Sequence, residues 1–247
     1  WQAVFNNIIG SRVAMEMAVR HQVSRFVLVS TDKAVRPTNV MGTSKRVTEL
    51  IMQSQAGNGT HFMAVRFGNV VGSSGSVIPL FRRQIEKGGP VTVTHPEINR
   101  FFMTIPEAAQ MILQAGTMGK TNEIFILRMG TPVKIADMAR DLIRLSGKEP
   151  DVDIKIVYTG LREGEKLYEE LISEGEDILP TEHKKVMVLR SNGYFNGANS
   201  REEGKKNLYA GIEELRKLAE DHDAAGIKNK LHKIVPEYIP QENDSVL

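Results

Sequence analysis

The stretch RFVLVSTDKAVRPTNVMGTSKR, Arg25 to Arg46, decides how the rest of the chain reads. Its opening, RFVLVS, is an unbroken apolar run of strand length. That is the pattern of a strand buried on both faces in a parallel sheet. Polar Thr31, Asp32 and Lys33 end the run. A helical pattern then occupies residues 40–56, and GNG at Gly57–Gly59 marks its end. Working outward, residues 3–22 read as a helix with Val4, Ile8 and Val13 on an apolar face. On the other side, HFMAVRFGNVVG from His61 reads as a second buried strand entering a Gly-rich loop. Helix, strand, helix, strand is the alternation of a doubly wound α/β sheet.

Beyond Gly75 the rhythm changes. A helix is expected over Val77 to Glu86, a short strand near Val91 to Val93, and a helix from Pro106, a residue suited to a first helical position. EIFIL from Glu123 reads as a strand. VKIADMARDLIRLSG from Val133 reads as an amphipathic helix closed by Gly147. DIKIVYTG alternates like a strand, and EKLYEEL reads as the start of a short helix. The charged segment from Glu202 to Val235 reads as helical, a solvated outer layer. The expected organisation is a partial Rossmann domain over 1–75, a smaller α/β lobe over 76–190 and a helical tail over 191–247.

Composition narrows the chemistry. The 247 residues are 41% hydrophobic and 25% charged, the balance of a globular protein. A net charge of +2 with dispersed Lys and Arg gives no reason to expect nucleic acid as a partner. With no cysteine in the sequence, disulfides, thiolate catalysis and cysteine metal sites are excluded, and a reducing compartment fits. The 6 histidines show no zinc spacing. No apolar stretch approaches the roughly 20 residues of a membrane span. The chain opens on Trp1, directly in a helical pattern, so we expect it to be the C-terminal part of a longer protein.

In open α/β sheets, ligands sit beyond the carboxyl ends of the strands. Two strands here end in polar loops, which brings Ser30, Thr31, Asp32, Lys33, Asn69 and Ser73 toward one edge. Met41 and Lys45 stand at i and i+4 and share a face of the following helix. There Lys45 can reach a cofactor ribose. By itself Met41 reads as a core filler.

These residues resemble the extended short-chain dehydrogenase/reductase superfamily, where a YxxxK helix follows a strand bearing Ser or Thr. STDKAVRPTNVMGTSKR, VRFGNVVGSSGSVIPLF, GGPVTVTHPEINRFFMTIPEAAQ, GLREGEKLYEEL and the late VPEY are more closely similar to its polysaccharide-biosynthesis branch of nucleotide-sugar 4,6-dehydratases. They match the MxxxK subgroup, typified by larger UDP-N-acetylglucosamine 4,6-dehydratases anchored by N-terminal membrane helices. The resemblance implies the C-terminal part of a Rossmann-type doubly wound parallel sheet with a smaller α/β substrate-binding lobe. No GxGxxG dinucleotide fingerprint occurs in the chain. On this reading the chain by itself is inactive and binds NAD only weakly.

The implied reaction is loss of water from a UDP-N-acetylhexosamine, with NAD+ reduced and reoxidised within a turnover. The C5 proton is removed, the C6 hydroxyl leaves, and hydride returns to C6. The catalytic set is then Thr31, Asp32, Lys33, Met41 and Lys45. Thr31 bonds the C4 oxygen, Asp32 is the acid at C6 and Lys33 the base at C5. A close ion pair would favour their charged forms, so the two are expected to face different sugar carbons. Met41 has no exchangeable proton and is expected to keep the site dry. Ser30 and Lys45 fall to the cofactor. Asn69 and Ser73 fall to the substrate, with Arg162 and then Arg100 on the diphosphate and Glu165 on a ribose hydroxyl. The SGSVIP turn could offer backbone N–H groups to phosphate. The resemblance further implies a homo-oligomer in the cytoplasm, membrane-associated only through a region outside this chain, at the cytoplasmic face of the inner membrane. Two rivals remain: a UDP-sugar 4-epimerase, which needs no acid and base at C5 and C6, and a catalytically silent nucleotide-sugar-binding module.

Overall fold

The computed structural model describes residues 1–55, 57, 59–73, 75–172, 178–189 and 198–240. A π-helical segment, Val4–Ile9, runs into α1 (Gly10–Arg20), and β1 (Arg25–Val29) follows. A 3-10 turn, Asp32–Ala34, leads to α2 (Val40–Ser54) and β2 (His61–Arg66). Next come β3 (Asn69–Val70), α3 (Val77–Glu86), β4 (Val91–Val93), β5 (Asn99–Arg100), β6 (Phe102–Met103) and α4 (Ile105–Met118). They are followed by β7 (Glu123–Leu127), β8 (Val133–Lys134), α5 (Ile135–Leu145) and β9 (Ile156–Tyr158). The chain closes with β10 (Ile178–Pro180), β11 (Val186–Leu189), α6 (Ala198–Glu220) and α7 (Ala224–Ile234).

Two compact units result, and neither is contiguous. The first takes Trp1–Phe67, Met111–Arg128 and Glu170–Gln241; the described part of the second is Gly68–Gln110 with Met129–Glu169. The boundaries expected from sequence, at 75/76 and 190/191, do not follow this division. The cause is β7, which lies between β2 and β11 in the five-stranded sheet β1-β2-β7-β11-β10. The sheet is mixed: β1, β2 and β7 are parallel, while β11 and β10 run antiparallel.

In the first unit, period-two alternation sends Phe62 and Ala64 of β2 and Ile124 and Ile126 of β7 into one core with α1, α2, α6 and α7. Met63 and Val27 serve the opposite face: a Cβ at Gly119 would lie 2.1 Å from Met63 Sδ, and one at Gly116 would lie 3.2 Å from Val27 Cγ2. The sheet is thus covered on both sides, as a doubly wound fold requires. Among the described residues β1 is the edge strand, with Leu28 buried and Val29 exposed. Its apolar run had suggested burial on both faces.

The tail is not a solvated layer. Leu208, Ile212, Leu215 and Ala219 of α6 recur at helical spacing and are buried in the main core, joined by Ile227 and Leu231 of α7. Each such side chain contributes about 1.5–3 kcal/mol through burial. Asp223 caps α7, its carboxylate accepting from Gly226 N at 2.9 Å, which breaks the two helices apart.

The second unit has its own core: Phe81 and Ile85 of α3, Val91 and Val93 of β4, and Ile135, Ala136, Ala139 and Ile143 of α5. The segment EKLYEEL forms no helix. Gly160 and Gly164 adopt positive φ (84° and 69°), and the Leu167 carbonyl accepts from Asn99 N and from Arg100 instead of a helical N–H.

Candidate active site

The expected site residues fall into two groups, one in each unit. In the first unit, β1 ends at Val29 and the ladder continues one step, with Ser30 N donating to Val65 O at 2.8 Å. Thr31 is extended and caps the 3-10 turn, its hydroxyl accepting from Lys33 N at 3.3 Å. That hydroxyl also donates to Asp32 Oδ1 at 2.8 Å, and Lys33 Nζ donates to the same oxygen at 3.0 Å. Asp32 is 0% exposed, and its Oδ2 accepts no hydrogen bond. Asp32 and Lys33 thus meet as a close ion pair through one carboxylate oxygen. A fully buried carboxylate calls for a counter-charge, and the adjacent ammonium supplies it. One carboxylate oxygen is occupied and the other is left for a partner.

The turn rests on α2. Asn39 caps the helix, accepting from Gly42 N at 2.9 Å. Gly42 sits so near the turn that a Cβ there would lie 2.1 Å from the Lys33 carbonyl oxygen. One further turn along, Lys45 Nζ donates to Val29 O at 3.2 Å. Burial lowers the Lys45 pKa, and the nearby Glu49 charge opposes that shift. Met41 shares this face but is 42% exposed, so the apolar lid expected of it is open in this state.

Ser30 goes elsewhere. Its hydroxyl donates to Glu49 Oε1 at 2.7 Å in the interior. Glu49 also takes a bidentate pair from Arg66, Nε at 2.8 Å and Nη2 at 2.7 Å, and a third contact from Arg46 at 3.0 Å. Burial pushes the Glu49 carboxyl upward, but the Arg66 charge and hydrogen bonds, with Arg46 and Ser30, outweigh it and bring the pKa down to about 2. The sequence reading missed this network. Its trace was a lone arginine, Arg66, inside the apolar strand MAVRF, and a glutamate four residues after Lys45.

In the second unit, Asn69 begins β3 half-buried, its N–H donating to Phe101 O at 3.0 Å, and Ser73 is half-buried in the loop that follows. Arg100 is buried between two carboxylates, Glu165 at 3.4 Å and Glu169 at 3.5 Å, and donates to Asn99 O at 2.7 Å. Glu165 accepts from Thr94 Oγ1 at 3.3 Å and from Arg162 N at 3.1 Å. Arg100 and Glu165 are thus engaged with each other rather than presented to a ligand. The Arg162 side chain is exposed.

Residues 1–191 match the family described as polysaccharide biosynthesis protein, and the chain belongs to that family. It is 58% identical over 177 residues to the capsular polysaccharide biosynthesis protein CapD of Staphylococcus aureus, covering 71% of this chain and 29% of CapD. It is 37% identical over 185 residues to the UDP-glucose 4-epimerase of Rickettsia canadensis, covering 73% of this chain and 52% of that enzyme. Among solved structures it is similar to Pen from Bacillus thuringiensis, with a TM-score of 0.69 and 31% identity over 83% of this chain and 67% of that one. The chain thus spans less than two thirds of the length of these two relatives.

Proposed function

We propose that this chain carries the catalytic turn and the substrate-binding unit of an NAD-dependent 4,6-dehydratase. Its substrate is a UDP-N-acetylhexosamine, UDP-N-acetylglucosamine first, for surface polysaccharide synthesis. The observation that carries the reading is the Asp32–Lys33 pair, a buried carboxylate and an amine 3.0 Å apart at the carboxyl end of β1. An epimerase needs no such pair. The Rickettsia relative keeps epimerisation as the second reading.

A residue that fits the nicotinamide end of NAD is the half-buried Lys45 of α2, whose Nζ reaches the carbonyl of Val29 at the end of β1. Bound there, NAD supplies hydride acceptance at C4 and its return at C6. What the chain's own residues do follows from the pair. Transfer of one proton from Lys33 Nζ to Asp32 yields a neutral amine and a neutral acid together. The elimination needs both in that neutral form, one to accept a proton and the other to give one. Lys33 then takes the C5 proton, and Asp32 Oδ2, the oxygen with no other partner, gives a proton to the departing C6 hydroxyl. The elimination leaves Lys33 charged and Asp32 ionised, which is the pair as it stands. Lys33 returns its proton to C5. The proton released from the C4 hydroxyl balances the one given by Asp32. Arg162, Asn69 and Ser73 are assigned to the nucleotide diphosphate and sugar. Arg100 and Glu165 act behind them by fixing the GLREGEKL loop. The UDP-sugar and NAD place the reaction in the cytoplasm, and at the inner-membrane face where a further region provides an anchor.

The test is the full-length protein with UDP-N-acetylglucosamine and NAD+. The expected product has lost one water by mass spectrometry and carries a 4-ketone. An epimer at C4 with no loss of water overturns the dehydratase reading.

A further inference from the structure

The VPEY motif, Val235–Tyr238, lies beyond the residues matched by the family and has no part in the chemistry above. We infer that the segment Val235–Ile239 is a strap that positions the Thr31–Asp32–Lys33 turn, with Glu237 as its positioning residue. This rests on the functional reading given above for what the turn does.

The strap grips at two places, both on the segment that follows the catalytic pair. Ile239 N donates to the carbonyl of buried Pro37 at 3.1 Å, four residues after Lys33. Glu237 accepts from Arg46 Nε at 2.9 Å, next to Lys45. The second grip runs inward as alternating charges. Arg46 reaches Glu49, Glu49 reaches Arg66, and Glu49 also accepts from Ser30, the residue before Thr31. One end of this relay is half exposed and the other is fully buried. The strap itself is anchored in the core. Tyr238 is 1% exposed and packs in the main cluster, its N–H donates to Val235 O at 2.9 Å, and its carbonyl lies 2.7 Å from His232 Nδ1. A segment needed only to close the core would be complete at Tyr238. The bonds from Glu237 and Ile239 instead reach the loop and helix that carry Lys33 and Lys45.

Because Glu237 is partly exposed, Glu237→Gln removes the grip without opening the core. Hydrogen exchange followed by mass spectrometry on this chain reads the outcome without substrate, so it stands apart from any failure of the dehydratase reading. The expected result is exchange raised about two- to fivefold over residues 30–42, the range a partly exposed ion pair supports. The strands β2 and β7 should be unchanged, and Glu237→Asp should restore protection. In the full-length enzyme the same variant lowers kcat by a similar factor with KM for the nucleotide sugar unchanged. Unchanged exchange over 30–42, or exchange raised equally across β2 and β7, overturns the inference.

Discussion

Gly42→Ala sets two effects of opposite sign against each other. Gly42 has ordinary helical backbone inside α2, so alanine gains about 0.8–1 kcal/mol of helix propensity. The new Cβ meets the Lys33 carbonyl oxygen at 2.1 Å, where real contacts stay above 3.0 Å, so that oxygen must retreat by about 0.9 Å (3.0 minus 2.1). The neighbour is backbone, which cannot rotate away as a side chain would. Overpacking of this kind typically costs about 1–3 kcal/mol. The clash outweighs the gain, with a net loss of up to about 2 kcal/mol, or a Tm lower by up to about 8 °C for a chain of this size. The effect on chemistry is larger, because a displacement near 1 Å of a reacting group costs on the order of 100-fold in rate. Thermal unfolding by circular dichroism gives the first quantity, and turnover of the full-length enzyme gives the second. Gly10→Ala in α1 is the control: its Cβ meets only ordinary contact at 3.4 Å, and its stability should hold or rise. A Gly42→Ala protein as stable as its parent, with turnover within about twofold, refutes the claim that this close approach sets the turn.

Other outcomes follow from the same geometry. Glu49→Gln should destabilise the protein by about 3–5 kcal/mol, the cost of leaving the buried Arg66 charge without its counter-ion; urea unfolding at neutral pH measures it. The depressed Glu49 pKa adds stability that is fully present above the ordinary carboxyl value of 4.5 and is lost as pH falls toward about 2, so acid unfolding over that window should be shallower in Glu49→Gln than in the parent. Leu215→Ala in α6 should cost about 2–5 kcal/mol, as for a core leucine; a loss under about 0.5 kcal/mol would return the tail to the surface. In the full-length enzyme, Lys33→Ala should give a single-turnover rise in reduced nicotinamide absorbance without the dehydrated 4-keto-6-deoxy product, and wild-type rates in that variant would remove Lys33 from the base role.

What the sequence made legible was local. β1, α2 and α3 follow from an apolar run and helical periods, and the break at Thr31–Lys33 marks the polar turn at once. What stayed hidden depends on partners far along the chain. Glu49 and Arg66 are 17 residues apart and carry no local signal that joins them; only packing α2 on β2 makes them one buried pair. Arg100 read as a phosphate ligand because arginine suits phosphate, while its two carboxylates, Glu165 and Glu169, lie in a segment that read as helix. The apolar spacing of Leu208, Ile212, Leu215 and Ala219 was present in α6, but the surrounding charges pointed to a solvated helix. The short strands β10 and β11 lack the length that would have separated them from loop.

The closure of the first unit by its last helices sets a clock on its birth. The π-helical segment and α1 find their neighbours in α6, and Arg12 pairs with Glu213 across 201 residues. On a ribosome adding about 5–20 residues per second, this segment packs early on α2 but waits roughly 10–40 s for α6 to complete its cover. Contacts this distant in sequence also slow the final search. A chain stopped before α6 is therefore a ready client for chaperones and proteases rather than a weakened protein. Folding is in effect proofread at α6, since only a chain translated that far can bury the face of the π-helical segment that α6 covers.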